Sequence, residues 1–224
     1  MQSIPKEEIK NYIFNTKEEL MSIIGLWCEN TRSKDACIIV YGHISDWDVS
    51  KITDMSNLFK DKKEFNDDIS KWDVSKVTNM SFMFDGANSF NQPLNNWDVS
   101  KVTNMIYMFC LASKFNFPLN YWDVSNVTNM FYMFFGANKF NQELNYWNTS
   151  KVTNMCGMFY FANSFNQSLN NWDVSKVTNM KNMFCYAESF NQPINNWNIS
   201  KVNDMKHMFD DAKSFNQSLN GWNV

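Results

Sequence analysis

Apolar and polar positions repeat along this chain with a period of 25 residues. Tryptophan stands at 47, 72, 97, 122, 147, 172, 197 and 222, with no insertion or deletion between copies. A period of this size means stacked units that share one interior, because a single copy cannot bury its own apolar face. Around each Trp the segment alternates, as in LNNWDVS. Trp97 and Val99 fall on one side and Asn96 and Asp98 on the other, the period-two pattern of a short strand. Further along, Met80, Met83, Phe84 and Ala87 stand at offsets 0, 3, 4 and 7, the stripe of a short helix. Thr78 or Asn79 is placed to cap its start and Asn88 its end. Each repeat is therefore expected to coil strand, turn, helix, turn, with the strands of successive coils forming a narrow parallel sheet opposite the helices.

A different pattern precedes the array. Thr16 and Glu19 form a capping box, and Leu20, Ile23, Ile24 and Trp27 follow at amphipathic-helix spacing. The β-branched run Cys37 to Tyr41 reads as a short strand ending at Gly42. Residues 1–46 are thus expected to form an N-terminal cap, a helix plus a short strand, that covers the first repeat. Residues 47–224 form the array, seven full repeats and the start of an eighth at Trp222.

Composition adds limits. With 224 residues, 44% hydrophobic and 17% aromatic, the chain has ample material for a core and is too apolar for a disordered one. A net charge of −3 gives no bulk attraction to nucleic acid or anionic lipid. No apolar run reaches the length of a signal-peptide core or a membrane-spanning helix, so an intracellular chain without membrane insertion is expected. Five cysteines without CxxC spacing suit reduced thiols, with a short Cys28 to Cys37 loop as the alternative in an oxidising setting.

No constellation of unlike groups suggests a catalytic site, a metal site or a cofactor. His43 and His207 are far apart, and no nucleophile triad, zinc pattern or Gly-rich phosphate loop is present. The Asp after Trp (Asp48, Asp73, Asp98, Asp123, Asp173) becomes Asn at 148, 198 and 223. A role filled by either residue needs an acceptor oxygen rather than a charge, which points to an Asx turn. Lys51, Lys76, Lys101, Lys151, Lys176 and Lys201 form a basic column that offsets the Asp row and is the one feature suggesting phosphate contact. Asn66, Asn91, Asn116, Asn141, Asn166, Asn191 and Asn216 are expected to form a buried amide ladder.

The columns that vary carry the functional reading. At offsets 10 and 13 from Trp, the outermost positions of the expected helix, the first and last repeats hold Asn57, Lys60, His207 and Asp210. The middle repeats hold Phe82, Tyr107, Tyr132, Phe135 and Tyr160, with Ile106, Leu111, Phe131, Phe161 and Tyr186 alongside. Tyr121 and Tyr146 replace Asn before Trp in the same central repeats, a second and smaller aromatic spot. An apolar patch containing Tyr, with charges at both ends, has the anatomy of a protein-binding surface. The competing readings are self-association through an uncapped C-terminal edge, as a dimer or an end-to-end array, and nucleic-acid binding through the Lys column.

The repeat WDVSKVTNMxxMFxxAxxFNQxLNx resembles that of the BspA-like leucine-rich-repeat family, also described as a Mycoplasma-type repeat of unknown function, from Trp47 to Val224. EELMSIIGLWC through YGHISDWDVS is similar to the cap that precedes such arrays. The resemblance implies an interaction scaffold with no catalytic residues. It also implies a microbial or viral source, since members occur as bacterial surface lipoproteins and adhesins and in protists and large DNA viruses. For a viral chain the setting would be host cytoplasm or virion. Unlike the bacterial surface members, this sequence shows no signal peptide, lipobox or wall anchor. The expected fold is α/β: a right-handed leucine-rich-repeat-like solenoid with one short parallel strand and one short helix per 25-residue repeat, and a helical N-terminal cap.

Overall fold

The computed structural model describes residues 12–222, so residues 1–11 of the expected cap and residues 223–224 of the eighth repeat lie outside the described residues. Helix α1, Lys17–Trp27, begins where the Thr16 hydroxyl accepts the Glu19 N–H at 3.2 Å. The Glu19 carboxylate reaches back to the Asn15 N–H at 3.1 Å, one residue earlier than in the usual capping box, and also accepts the Tyr12 hydroxyl at 2.6 Å. Leu20, Ile23, Ile24 and Trp27 are all buried, as their spacing predicts.

Helix α2, Thr31–Tyr41, corrects the strand expected at Cys37 to Tyr41. The Asn30 side chain caps its start by accepting the Ser33 N–H at 3.0 Å, and Gly42, at φ 76°, ends it. The β-branched run is not buried in a sheet: Ile39 is 84% and Val40 63% exposed, while Cys37 alone of α2 is buried. Local capping therefore outweighs β propensity here. A single 3-10 turn, Ile44–Asp46, leads into the array.

From Trp47 the chain winds as seven coils, numbered here from each Trp: coil 1 starts at Trp47 and coil 7 at Trp197. Each of the six interfaces between coils carries six backbone hydrogen bonds. Between coils 2 and 3 the N–H groups of Met80, Phe82, Phe84 and Gly86 donate to the carbonyls of Asn104, Ile106, Met108 and Cys110. Those of Thr103 and Lys114 donate back to Thr78 and Asn88.

The expected strand and helix of each repeat are absent among the described residues, so the α/β solenoid reading is overturned. Each coil makes only an isolated parallel bridge to its neighbour, in the column Asp54, Asn79, Asn104, Asn129, Asn154, Asn179, Asp204. Where a helix was expected, the chain makes overlapping four-residue turns, with Met83, Asp85 and Ala87 N–H donating to Met80, Phe82 and Phe84 carbonyls. The reason lies in where alternate N–H groups go. A helix would bond every one within its own segment, whereas here every second N–H crosses to the next coil. Two residues per coil, at offsets 10 and 14 from Trp, take positive φ. A left-handed residue at the third position is the signature of a type II turn and stops helix propagation. The stripe at offsets 0, 3, 4 and 7 nevertheless identifies the interior, because Met80, Met83, Phe84 and Ala87 are fully buried.

The residue expected to cap a helix forms a turn of its own instead. Asn79, Asn104, Asn129, Asn154 and Asn179 accept the N–H two residues on, at 2.9 to 3.1 Å. These are Asx turns, which imitate a helix N-cap over their first hydrogen bond. Around Trp97 the chain also turns instead of extending, with Trp97 N–H on Leu94 O and Val102 N–H on Val99 O.

The interior is a set of aromatic files. The Phe column at offset 12, from Phe59 to Phe209, stacks at 5.4 to 5.8 Å between coils. Each of these rings lies 4.0 to 4.2 Å from the Phe at offset 18 of its own coil. The indoles of Trp122, Trp147, Trp172 and Trp197 stack at 6.3 to 6.5 Å within 3° of parallel. Every indole N–H is satisfied; Trp122 donates to Leu94 O at 2.8 Å, and the same bond recurs along the file.

Residues 12–46 close the start of this interior. Phe14 lies 4.9 Å and Trp27 5.4 Å from Trp47, ring to ring. Trp27 Nε1 and Lys34 Nζ both bond the Asp67 carboxylate, and Lys17 pairs with Asp54 at 3.1 Å.

Candidate functional site

Surface chemistry is set by which columns the coil turns outward. The Asp/Asn column after Trp forms the Asx turns that the Asp-to-Asn exchange predicts. Its Oδ1 accepts the N–H of the Ser two residues on at 2.9 to 3.2 Å in all seven coils. The hydroxyls and N–H groups of Ser75, Ser100 and Ser175 hold the carboxyls of Asp73, Asp98 and Asp173 below the usual range, and neighbouring lysines add less. A depressed folded-state pKa gives stability that is complete above the unfolded value, about 3.9, and is lost as pH falls through the folded one. Urea midpoints should therefore drop as pH falls below about 4, and replacing all three Asp by Asn should flatten that drop.

The offset-19 asparagines form a ladder in which each Oδ1 accepts the backbone N–H of its counterpart one coil on, at 2.8 to 2.9 Å. The ladder is half-buried to exposed rather than buried. A threonine column that sequence reasoning passed over runs beside it in the same manner. Thr78, Thr103, Thr128, Thr153 and Thr178 donate both N–H and hydroxyl to the preceding Thr carbonyl.

The Lys column is exposed throughout and broken in coil 4. There Asn126 stands in its place, donating to Ser100 O at 2.7 Å and accepting Lys151 Nζ at 2.6 Å. The five cysteines are unpaired, including Cys28 and Cys37. Burial raises their thiols, Cys28 to about 11, which disfavours the reactive thiolate. Among the described residues, no His, Cys, Asp or Glu cluster is arranged to hold a metal ion. No helix there is long and apolar enough to cross a membrane.

Five of the seven aromatic residues singled out by sequence come together. Phe82, Tyr107 and Tyr132 stack in file at 5.0 and 5.2 Å. Tyr132 meets Phe135 at 5.5 Å, and Phe135 meets Tyr160 at 5.1 Å. Phe161 and Tyr186 extend the cluster into coil 6 with rings 4.5 Å apart. Beside them a groove of about 480 Å³ is lined by Asn88, Leu111, Ser113, Phe135, Asn138 and Phe161. Tyr121 and Tyr146 stand apart from this cluster, 76% and 72% exposed.

The clustered rings do not project from helices, as the sequence suggests. Phe82, Tyr107 and Tyr132 are themselves the left-handed residues, at φ 58°, 54° and 54°, in a column that continues as Gly157, Asn182 and His207. Their side chains lean along the stack onto the next coil, which leaves them half-buried. Gly157 is what ends the file: a Cβ there would lie 2.6 Å from the Tyr132 ring. Asn182 Nδ2 then meets the Tyr132 hydroxyl at 3.4 Å. Sequence reasoning does not single out Gly157 or Asn182; the available signal is a Gly that directly follows three consecutive aromatic residues in one column.

The coils thus define a tandem-repeat protein whose units are joined by backbone hydrogen bonds and whose surface varies from coil to coil. The chain belongs to the family described as Mycoplasma protein of unknown function, DUF285, which it matches over residues 30–147 and 132–224. No curated protein and no solved structure matches it.

Proposed function

We propose that this protein is a non-enzymatic scaffold that holds a protein partner against the aromatic face of coils 2 to 6. The observation that carries this reading is three consecutive bulky aromatics at left-handed positions, Phe82, Tyr107 and Tyr132. Each costs about 1–2 kcal/mol of backbone strain, whereas an aromatic pair returns about 0.5–1.5 kcal/mol. Folding alone would favour Gly or Asn, which the same column uses at Asn57, Gly157 and Asn182. Strained residues that folding does not require mark places where the surface is used. Tyr rings supply large contact area with few rotatable bonds, and the polar residues of coils 1 and 7 form the rim. The wording of the repeat also supports kinship with BspA-like interaction scaffolds, and the buried, high-pKa thiols are compatible with a reducing compartment.

The test uses the residue that the fold already accepts. A triple variant, Phe82→Asn, Tyr107→Asn and Tyr132→Asn, should keep its thermal midpoint within about 4 °C of the parent, since lost stacking and relieved strain nearly cancel. Proximity labelling in the native cell should then lose the partners seen with the parent chain. An unchanged partner set would refute the proposal.

A further inference from the structure

We infer that the groove beside the aromatic cluster receives an extended acidic peptide of the partner, with one bulky apolar side chain seated against Leu111 and Phe161. This rests on the reading of that face as a protein-binding surface and adds the chemistry of what binds there. Part of the groove is apolar. A Cβ at Gly136 would lie 2.8 Å from the Leu111 side chain, so the bare Gly is what lets Leu111 lie across coil 4. Phe135 and Phe161 continue this wall with ring centroids 6.1 Å apart. The rest of the lining is polar and neutral, the offset-16 residues Asn88, Ser113, Asn138 and Asn163.

Two observations choose the ligand. Asn163 Oδ1 is buried and, among the described residues, meets no donor. Its amide is set from the other side. Lys213 chiefly, and an N–H of Asn163 in addition, hold the Glu188 carboxyl below its usual range, so Nδ2 faces Glu188 and Oδ1 faces away. A buried acceptor left unpaired is costly. A peptide N–H lying in the groove supplies the missing donor after a small rotation of the Asn163 side chain.

The unpaired charge at the groove is positive. Between offsets 13 and 17 from Trp, coils 2 to 5 carry Asp85, Lys114 and Lys139 as their charged residues. Asp85 is paired with Lys60 at 3.1 Å. Lys114 and Lys139 are exposed and, among the described residues, form no ion pair, not even with Glu143 four residues beyond Lys139. At the ends the charges cancel: Glu188 pairs with Lys213, and Asp61 and Glu64 stand beside Lys62 and Lys63. From coil 2 to coil 5 the groove spans three coil spacings, roughly 14 Å, the length of about four extended residues. It is open along its side, whereas small-molecule sites enclose most of their ligand. A nucleic-acid backbone would meet the lysines but leave the apolar wall unmatched.

The test selects random dodecapeptides displayed on phage against the full chain, then measures enriched peptides by fluorescence anisotropy beside a single-stranded RNA decamer. Enriched peptides should combine a Leu, Phe or other bulky apolar residue with several Asp or Glu, and their affinity should fall as salt rises. Lys114→Ser with Lys139→Ser should weaken binding about fivefold, as should Asn163→Ser alone. Both variants place Ser where the same columns carry Ser89, Ser164 and Ser113, so their melting curves should match the parent. Failure to enrich any peptide, enrichment of basic or uncharged ones, acidic peptides indifferent to either variant, or binding of the RNA alone would each overturn the inference. If it is overturned while the Phe82, Tyr107 and Tyr132 triple variant still loses its cellular partners, the protein-binding reading stands and only the groove assignment falls.

Discussion

Replacing Phe134 by Ala should destabilise the protein by about 3–5 kcal/mol. Phe134 is fully buried and stacks on Phe109 at 5.5 Å, Phe159 at 5.7 Å and Phe140 at 4.1 Å, so the deletion opens a void touching three coils. The coils are held one to the next, and weakening the middle one uncouples the two halves of the array. Phe209→Ala removes the same ring from coil 7, where it is half-buried and stacks on one neighbouring coil at 5.8 Å. Its expected cost is about 1–2 kcal/mol, confined to local opening of the last coil. Urea unfolding with hydrogen exchange measures both effects. Equal losses at the two positions would contradict nearest-neighbour stabilisation.

The second large effect concerns register. Deleting residues 122–146, one whole coil, brings Trp147 into the slot of Trp122 and realigns every downstream column. That variant should fold and melt cooperatively with one interface fewer. Deleting residues 122–133 removes less of the chain but leaves about half a coil, too short to wind once around the interior. Downstream N–H groups would then face no carbonyls, and each buried unpaired group costs about 1–3 kcal/mol. Several such losses exceed the total stability of an ordinary domain, about 5–15 kcal/mol, so the smaller deletion should be the one that unfolds. Circular dichroism and tryptophan fluorescence would decide, and a folded half-coil deletion would show that the columns do not fix the winding.

Much of the interior was legible because burial follows periodicity. Trp97, Val99, Met80, Met83 and Phe84 are inside as their spacing implies. The hydrogen-bonding pattern was not legible, since a stripe at helical offsets says which side chains face in but not where backbone N–H groups go. That choice is made by the adjoining coil, about which a single repeat carries no information. The aromatic cluster was found because its column departs from the repeat. The left-handed backbone beneath Tyr107 and Tyr132 could not be foreseen, because Tyr normally avoids it.

That backbone has one more consequence. The fourteen left-handed positions, two in each coil, hold Asn, Asp, Phe, Gly, Tyr, Leu and His, while the interior columns barely change. Fold and variable surface are thus written in separate alphabets. A gene encoding such units can shuffle, copy or edit the outer letters combinatorially without reopening the question of how the chain packs.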